Sequence, residues 1–190
     1  MNATQLLLDV CALWILSEIG IMIVKRSKAG QATSKDRLSI HVIWICFMLG
    51  PILASKVTRV QPTEMPAAIR PYAYWGGLAL IVIGVAIRWI AIATLKRYFT
   101  VDVAIAKDHK VIDHGLYGVV RHPSYAGTLL SFIGLGFAFL NWLSLAACVV
   151  FAVIGLSYRI SVEERALTEA LGDAYRSYAA RTKRLIPGIY

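Results

Sequence analysis

The sequence predicts an all-α, polytopic integral membrane protein whose five transmembrane helices form a single domain. Hydrophobic residues make up 58% of the 190 residues and charged residues only 16%, and the mean hydropathy is +0.63. An ordinary soluble domain does not have so apolar a composition. A helix needs about 17 to 25 apolar residues to cross the hydrocarbon core, and five runs approach or reach that length: 3–24, 38–55, 72–95, 125–140 and 142–158.

The first part of the chain, residues 1–95, is expected to form a three-helix scaffold. No removable signal peptide is expected, because the first run lacks a basic start and a small-residue cleavage site. Glycines in the third run allow neighbouring helices to approach closely, and these are Gly76, Gly77 and Gly84. Asp9 and Glu18 lie inside the first run, where carboxylates are functional candidates by default. Since both are near a span end, a partnered or snorkelling side chain is the favoured interpretation.

The second part, residues 96–190, has a different character. The segment 96–114 is polar and is predicted to lie over the helical bundle as a lid. The last two apolar runs are joined at Asn141 and Trp142, a turn so tight that it predicts an antiparallel hairpin. The fifth helix is expected to continue beyond Tyr158 and to stop at Gly172, because no Gly or Pro interrupts it earlier. A basic amphipathic helix follows, which either covers the site or rests on the membrane surface.

The distribution of basic residues predicts the orientation, since short loops rich in Lys and Arg remain in the cytoplasm. Such residues concentrate after the first run, after the third run and in the C-terminal tail. Five crossings place these segments on one side, so the N-terminus is predicted to be outside and the C-terminus cytoplasmic. This topology and the attraction of anionic membrane lipids explain the net charge of +9. Nucleic-acid binding is not expected, because no basic segment is interleaved with exposed aromatic residues.

The three cysteines, Cys11, Cys46 and Cys148, all lie inside predicted spans. Their spacing matches no metal-ligand or redox motif, so we interpret them as small apolar packing residues. Neither a metal site nor a disulfide is expected.

One polar cluster lies where the fifth span leaves the lipid. Arg159 and Glu163 are four positions apart, so on one helix they point the same way. An arginine there presents a planar fork suited to a carboxylate or a phosphate, and Glu163 can accept from an amino group. The alternative is a simple ion pair at the level of the lipid headgroups.

A second polar cluster, Arg-His-Pro-Ser-Tyr, begins the fourth helix. Pro123 suits the first helical turn, which leaves His122 and the N–H groups of Ser124 and Tyr125 at a helix start that attracts anions. The alternative is an ordinary membrane interface without a ligand, and this applies to Arg121, His122, Tyr117 and Tyr125. Because the tight hairpin brings the fourth and fifth helices together, we expect the two clusters to be neighbours.

These motifs carry a resemblance to a known family. The stretches H-K-V-I-D-H-G-L-Y-G-V-V-R-H-P-S-Y-A-G, R-I-S-V-E-E-R-A-L, L-G-D-A-Y-R-S-Y and R-L-I-P occur in this order within residues 102–187. This half of the chain resembles the isoprenylcysteine carboxyl methyltransferase family, within the wider group of membrane phospholipid methyltransferases. The first three helices contribute almost nothing to the resemblance.

The resemblance implies a methyltransferase that uses S-adenosylmethionine and releases S-adenosylhomocysteine, with residues 96–190 as the cofactor and catalytic half. Arg159 matches the arginine that meets the substrate carboxylate. The positions that match cofactor-binding residues of the family are His109, Lys110, Val111, Ile112, Tyr117, His122, Pro123, Ser124, Tyr125 and Glu163. A family glutamine falls near Asp102, where this sequence departs from the pattern, so a role for Asp102 is in doubt.

The implied substrate is a lipid-like or prenylated carboxylate that enters from the bilayer. One alternative is a phospholipid amine methyltransferase, whose acceptor must first lose a proton to a base such as His122 or Glu164. Another is a small membrane scaffold or transporter subunit without any cofactor. Arg121 is a further candidate of the second cluster.

Overall fold

The computed structural model describes residues 2–24, 34–100 and 110–190, with backbone alone for 34–37. Within these residues the regular elements are helical, which confirms the predicted class. The six α-helices are α1 (Ala3–Val24), α2 (Ser34–Val57), α3 (Arg70–Leu95), α4 (Pro123–Ala138), α5 (Trp142–Leu171) and α6 (Asp173–Arg181). Single 3-10 turns occupy Ala67–Ile69, Lys96–Tyr98 and Gly115–Gly118.

Among the described residues, four helical segments are long and apolar enough to cross a membrane, and these are Ala3–Val24, Leu38–Val57, Ala67–Tyr98 and Trp142–Leu171. The prediction of an integral membrane protein is therefore confirmed. The helix at the fourth predicted span, α4, has 16 residues. Its length is about 24 Å at 1.5 Å per residue, whereas the hydrocarbon core is about 30 Å thick. The fifth crossing stays a prediction.

Close packing of α3 against α4 depends on glycine. A Cβ atom added at Gly77 would lie 2.6 Å from the carbonyl oxygen of Gly134, and one added at Gly84 would lie 2.8 Å from the backbone nitrogen of Ser131. Both distances are too short for a real Cβ contact, so the two backbones touch directly. Gly76 has open space where a Cβ would be. The predicted close approach is thus confirmed at Gly77 and Gly84, but the prediction for Gly76 was wrong.

The helix α5 begins directly after α4, with residues 139–141 between them. The side chain of Asn141 caps α5 by accepting hydrogen bonds from the N–H groups of Leu143 and Ser144, at 2.8 and 3.1 Å. Gly136 of α4 packs against Leu145 of α5, where a Cβ atom would lie 2.7 Å from the Cα atom. This connection brings the start of α4 back to the distal half of α5.

The helix α5 continues without interruption for 30 residues and ends at Gly172, as the sequence predicted. Gly172 has a φ angle of +56°, a left-handed conformation that glycine adopts without strain. The short helix α6 then folds back against α5. Residues 101–109 of the predicted lid lie outside the described residues.

Candidate active site

The two polar clusters meet where α4 begins and α5 passes its last apolar residues. The hydroxyl of Tyr125 donates a hydrogen bond to Oε2 of Glu163 at 2.8 Å. The same hydroxyl accepts from Nε of Arg159 at 3.4 Å. A single tyrosine on α4 therefore connects the arginine and the glutamate of α5, and the structure brings together the groups that the hairpin was expected to bring together.

Arg159 is buried rather than exposed at the surface. Arg159 is 3% exposed, and its Nη1 atom donates a hydrogen bond to the hydroxyl of Ser39 on α2 at 2.6 Å. Polar groups from α2 and α4 thus fix the position of this guanidinium. An arginine so deeply buried does not fit the alternative of an ion pair among lipid headgroups, where side chains remain solvated.

A cavity of about 550 Å³ lies between α1 and α2, and residues of α4 also line it. Its walls are mainly apolar and aromatic, as for Trp14, Ile43, Trp44, Phe47, Phe132 and Leu135. Arg159 and Tyr125 also line it. The cavity thus combines an apolar volume with the charged side chains of Arg159, Arg88 and Glu18. A mainly apolar pocket with a few polar groups is typical of a ligand site.

The start of α4 is buried and preorganised. Pro123 is the first helical residue after the N-cap residue His122, as predicted. The N–H of Tyr125 donates to the carbonyl oxygen of His122 at 3.0 Å, so this group is not free for an anion as the sequence analysis expected. The hydroxyl of Ser124 accepts from Nη1 of Arg88 at 2.7 Å.

Glu164 is the centre of a cationic cluster. Its Oε1 atom accepts from Nε of Arg121 at 2.9 Å and lies 3.3 Å from Nε2 of His122, while Oε2 accepts from Nη2 of Arg184 at 2.8 Å. The hydrogen bond to Glu164 raises the pKa of Arg184 above its ordinary value. A carboxylate that accepts hydrogen bonds from two arginines is a weak base. His122 is also engaged, through its contact with Glu164.

The C-terminal segment fixes the loop that precedes α4. The N–H groups of Arg121 and His122 donate to the carbonyl oxygens of Lys183 and Arg184, at 2.7 and 3.0 Å. The hydroxyl of Tyr178 donates to the carbonyl oxygen of Tyr117 at 2.7 Å. Of the two alternatives for the last helix, covering the site agrees with these contacts.

The remaining predicted site residues lie in the segment of the chain that precedes α4. Tyr117 is 6% exposed, and burial raises the pKa of its hydroxyl. Lys110 is exposed, whereas Val111 and Ile112 are half-buried. His109 and Asp102 lie outside the described residues.

Contacts from the first three helices reach the site, and the sequence analysis did not anticipate them. Arg88 of α3 forms a bidentate pair with Glu18 of α1, with distances of 2.6 and 2.8 Å. This partner explains Glu18 and agrees with the favoured interpretation of that residue. The signal was present in the sequence, because Arg88 is a charged residue inside an apolar run. Ser39 gave no comparable signal.

Comparisons with known proteins support the resemblance. Residues 77–169 match the model of the isoprenylcysteine carboxyl methyltransferase (ICMT) family. The chain is 35% identical over 115 residues to a protein of Oryza sativa subsp. indica named "Probable protein-S-isoprenylcysteine O-methyltransferase", and the match covers 60% of each chain. It is 34% identical over 113 residues to protein-S-isoprenylcysteine O-methyltransferase B of Arabidopsis thaliana, covering 58% of this chain and 57% of that one. This chain thus spans about three fifths of the length of these relatives.

The fold is also shared with a solved structure. The eukaryotic intramembrane Ras methyltransferase ICMT, solved without a monobody, matches with a TM-score of 0.58 and 24% sequence identity. The match covers 80% of this chain and 52% of that chain. The resemblance that the motifs predicted is confirmed.

Proposed function

Since residues 77–169 match the model of the isoprenylcysteine carboxyl methyltransferase family, we propose that this protein is an integral-membrane carboxyl O-methyltransferase. Its methyl donor is S-adenosylmethionine, and its acceptor is the carboxylate of a lipid-linked substrate such as a prenylated cysteine. The observation that carries the proposal is the Tyr125 hydroxyl, which bonds both Glu163 and Arg159. Through it, a cofactor side and a substrate side of one site are in direct contact.

The substrate side consists of Arg159 and the apolar cavity. The cavity walls accept the lipid chain, and the guanidinium, which has a fork of donors, holds the carboxylate. Ser39 and Tyr125 keep the guanidinium in place. Because Arg159 is 3% exposed, a charge pair between this arginine and a carboxylate is stronger than one at a protein surface.

The cofactor side centres on Glu163. One of its oxygens accepts from Tyr125, and Oε1 has no hydrogen-bond partner among the residues that the structure describes. That oxygen fits the amino group of S-adenosylmethionine, and Tyr117 with the start of α4 supplies aromatic and polar surface beside it. When bound, the cofactor supplies a sulfonium whose methyl group is electrophilic.

Catalysis in such a site relies on position more than on proton transfer. A carboxylate acceptor is already ionised at neutral pH, so no base is needed to activate it. Holding reactants in the correct orientation lowers a barrier by about 7 to 11 kcal/mol in favourable cases. The role of Arg159 is to orient the attacking oxygen, and the role of Tyr125 is to keep Arg159 and Glu163 in a fixed relation.

The alternative of a phospholipid amine methyltransferase fits the site less well. An ammonium acceptor must lose a proton to a base. The two candidate bases, His122 and Glu164, are in hydrogen-bond contact with each other, and Glu164 also accepts from Arg121 and Arg184. A buried arginine on the cavity wall also repels an ammonium group.

The topology that we propose has five crossings, with α4 as a short fifth span in a hairpin with α5. The N-terminus is outside, and the C-terminus and the site face the cytoplasm, in agreement with the basic loops. A lipid-linked substrate then reaches the cavity sideways, between α1 and α2. The single buried residue of α1 is Ile21, so most of this helix is available to contact lipid.

The proposal is tested by titrating labelled S-adenosylmethionine into the detergent-solubilised protein and then adding N-acetyl farnesyl cysteine. We expect saturable cofactor binding and formation of a methyl ester on the prenylcysteine. A protein that binds no cofactor is not a methyltransferase, and methylation of phosphatidylethanolamine in place of the carboxylate supports the amine alternative.

A further inference from the structure

Tyr175 is a buried tyrosine of α6 to which neither the motifs nor the proposed mechanism gives a role. The residue is 5% exposed, although α6 is a short helix at the edge of the protein. Its ring packs edge-on against that of Tyr178, with centroids 6.0 Å apart. Both rings therefore point into the protein, toward the site that α6 covers.

The hydroxyl groups of these two tyrosines differ. That of Tyr178 donates to the carbonyl oxygen of Tyr117 at 2.7 Å. That of Tyr175 is buried and has no hydrogen-bond partner among the described residues. A buried hydroxyl without a partner destabilises the folded state relative to a phenylalanine in the same place, and such groups are rare enough in proteins to need an explanation.

The acidic pair at the exit of α5, Glu163 and Glu164, is close enough to Tyr175 to act on its hydroxyl. Burial raises the pKa of Tyr175, and the carboxylates of Glu164 and Glu163 raise it further. The hydroxyl thus lies in the electrostatic field of the acidic pair at the exit of α5. Glu164 is occupied by its cations, whereas Glu163 is the carboxylate that the proposed function assigns to the amino group of the cofactor.

We propose that Tyr175 is a further cofactor-binding residue, whose hydroxyl forms a hydrogen bond with the amino-acid end of bound S-adenosylmethionine. This inference rests on the proposed function and deepens it. The amino-acid end has an ammonium donor and carboxylate acceptors, and a tyrosine hydroxyl pairs with either. The hydrogen bond that is missing within the protein is then completed by the ligand, and α6 becomes a wall of the cofactor site.

The variant Tyr175→Phe tests this, because it removes only the hydroxyl, and Tyr178→Phe is the matched control in the same helix. The full-length proteins are titrated in detergent with S-adenosylhomocysteine and with 5′-methylthioadenosine, which lacks the amino-acid end. Thermal unfolding is measured without ligand. For Tyr175→Phe we expect an S-adenosylhomocysteine affinity about three- to tenfold weaker, the effect of one lost hydrogen bond, with the affinity for 5′-methylthioadenosine unchanged.

The melting temperature separates binding from structure. Without ligand, Tyr175→Phe is expected to melt at or above the wild-type temperature, while Tyr178→Phe melts below it because a satisfied hydrogen bond is lost. An unchanged affinity of Tyr175→Phe for S-adenosylhomocysteine overturns the inference and leaves the proposed function intact. Equal weakening for both ligands together with a lower melting temperature also overturns it, since it indicates a structural role. If the wild-type protein binds neither ligand, the proposed function fails and the inference fails with it.

Discussion

Replacing Arg159 with alanine is expected to remove most methyl transfer and to leave cofactor binding nearly intact. The residue is 3% exposed and lines the apolar cavity, and in the function that we propose it pairs there with the substrate carboxylate. Removing one partner of a buried charge pair costs about 3 to 5 kcal/mol. At about 1.4 kcal/mol for each factor of ten, kcat/KM for a carboxylate acceptor should fall by roughly 100- to 5000-fold.

The assay follows transfer of a labelled methyl group to N-acetyl farnesyl cysteine over a range of acceptor concentrations. A parallel titration measures the affinity for S-adenosylhomocysteine. We expect it to change by less than about threefold, the effect of a weak hydrogen bond at most, because the variant leaves the hydrogen bond from Tyr125 to Glu163 in place. Arg159→Lys keeps the charge but loses the planar fork, so its activity should be intermediate. Ser39→Ala removes one contact of the guanidinium and keeps the arginine, so its loss of activity should be smaller than that of Arg159→Ala.

Two results would refute the reasoning about Arg159. If Arg159→Ala lowers cofactor affinity as severely as it lowers turnover, the guanidinium belongs to the cofactor side of the site. If turnover with the carboxylate acceptor is nearly unchanged, the substrate is held elsewhere.

Three further predictions concern the cofactor side and the helix packing. Glu163→Gln should weaken S-adenosylhomocysteine binding by about tenfold or more in a calorimetric titration, because a charge-assisted hydrogen bond to the amino group contributes about 1.5 to 3 kcal/mol. An unchanged affinity would show that Glu163 does not bind the cofactor. Gly84→Ala should lower the melting temperature by several degrees, since its Cβ would collide with α4. The control Gly76→Ala has open space for its Cβ and should leave stability the same or slightly raised through helix propensity. Equal effects of the two variants would contradict the packing of α3 against α4. Glu18→Gln and Arg88→Met should each destabilise the protein by more than the double variant does, because each leaves one member of a partly buried pair alone. Additive losses in thermal unfolding would argue against the pair.

The sequence predicted most of the helical architecture because the apolar runs are long and sharply bounded. The run at 3–24 coincides with α1, and the turn at Asn141 correctly joined two helices. Gly172 ended α5 as expected, because a left-handed residue terminates a helix wherever it is placed. The short connection between α4 and α5 led us to expect that the two polar clusters would be neighbours, and Tyr125 and Glu163 are in contact.

The contacts that the sequence did not reveal join residues far apart in the chain. Ser39 and Arg159 are separated by 120 positions, and Glu18 and Arg88 by 70. Helix periodicity shows which face is apolar but not which neighbouring helix that face meets, so these pairs required coordinates. The occupied N–H of Tyr125 was missed for a local reason, because the N-cap carbonyl of His122 accepts it.

We propose that one buried arginine and one glutamate form a carboxyl methylation site in the membrane. The most direct test identifies the bond that carries the labelled methyl group after incubation with a prenylcysteine acceptor and membrane lipids. We expect an alkali-labile methyl ester on the acceptor carboxylate, formed by the wild-type protein and nearly absent with Arg159→Ala. An alkali-stable label on a lipid amine, or a methyl ester formed equally well without Arg159, would contradict it.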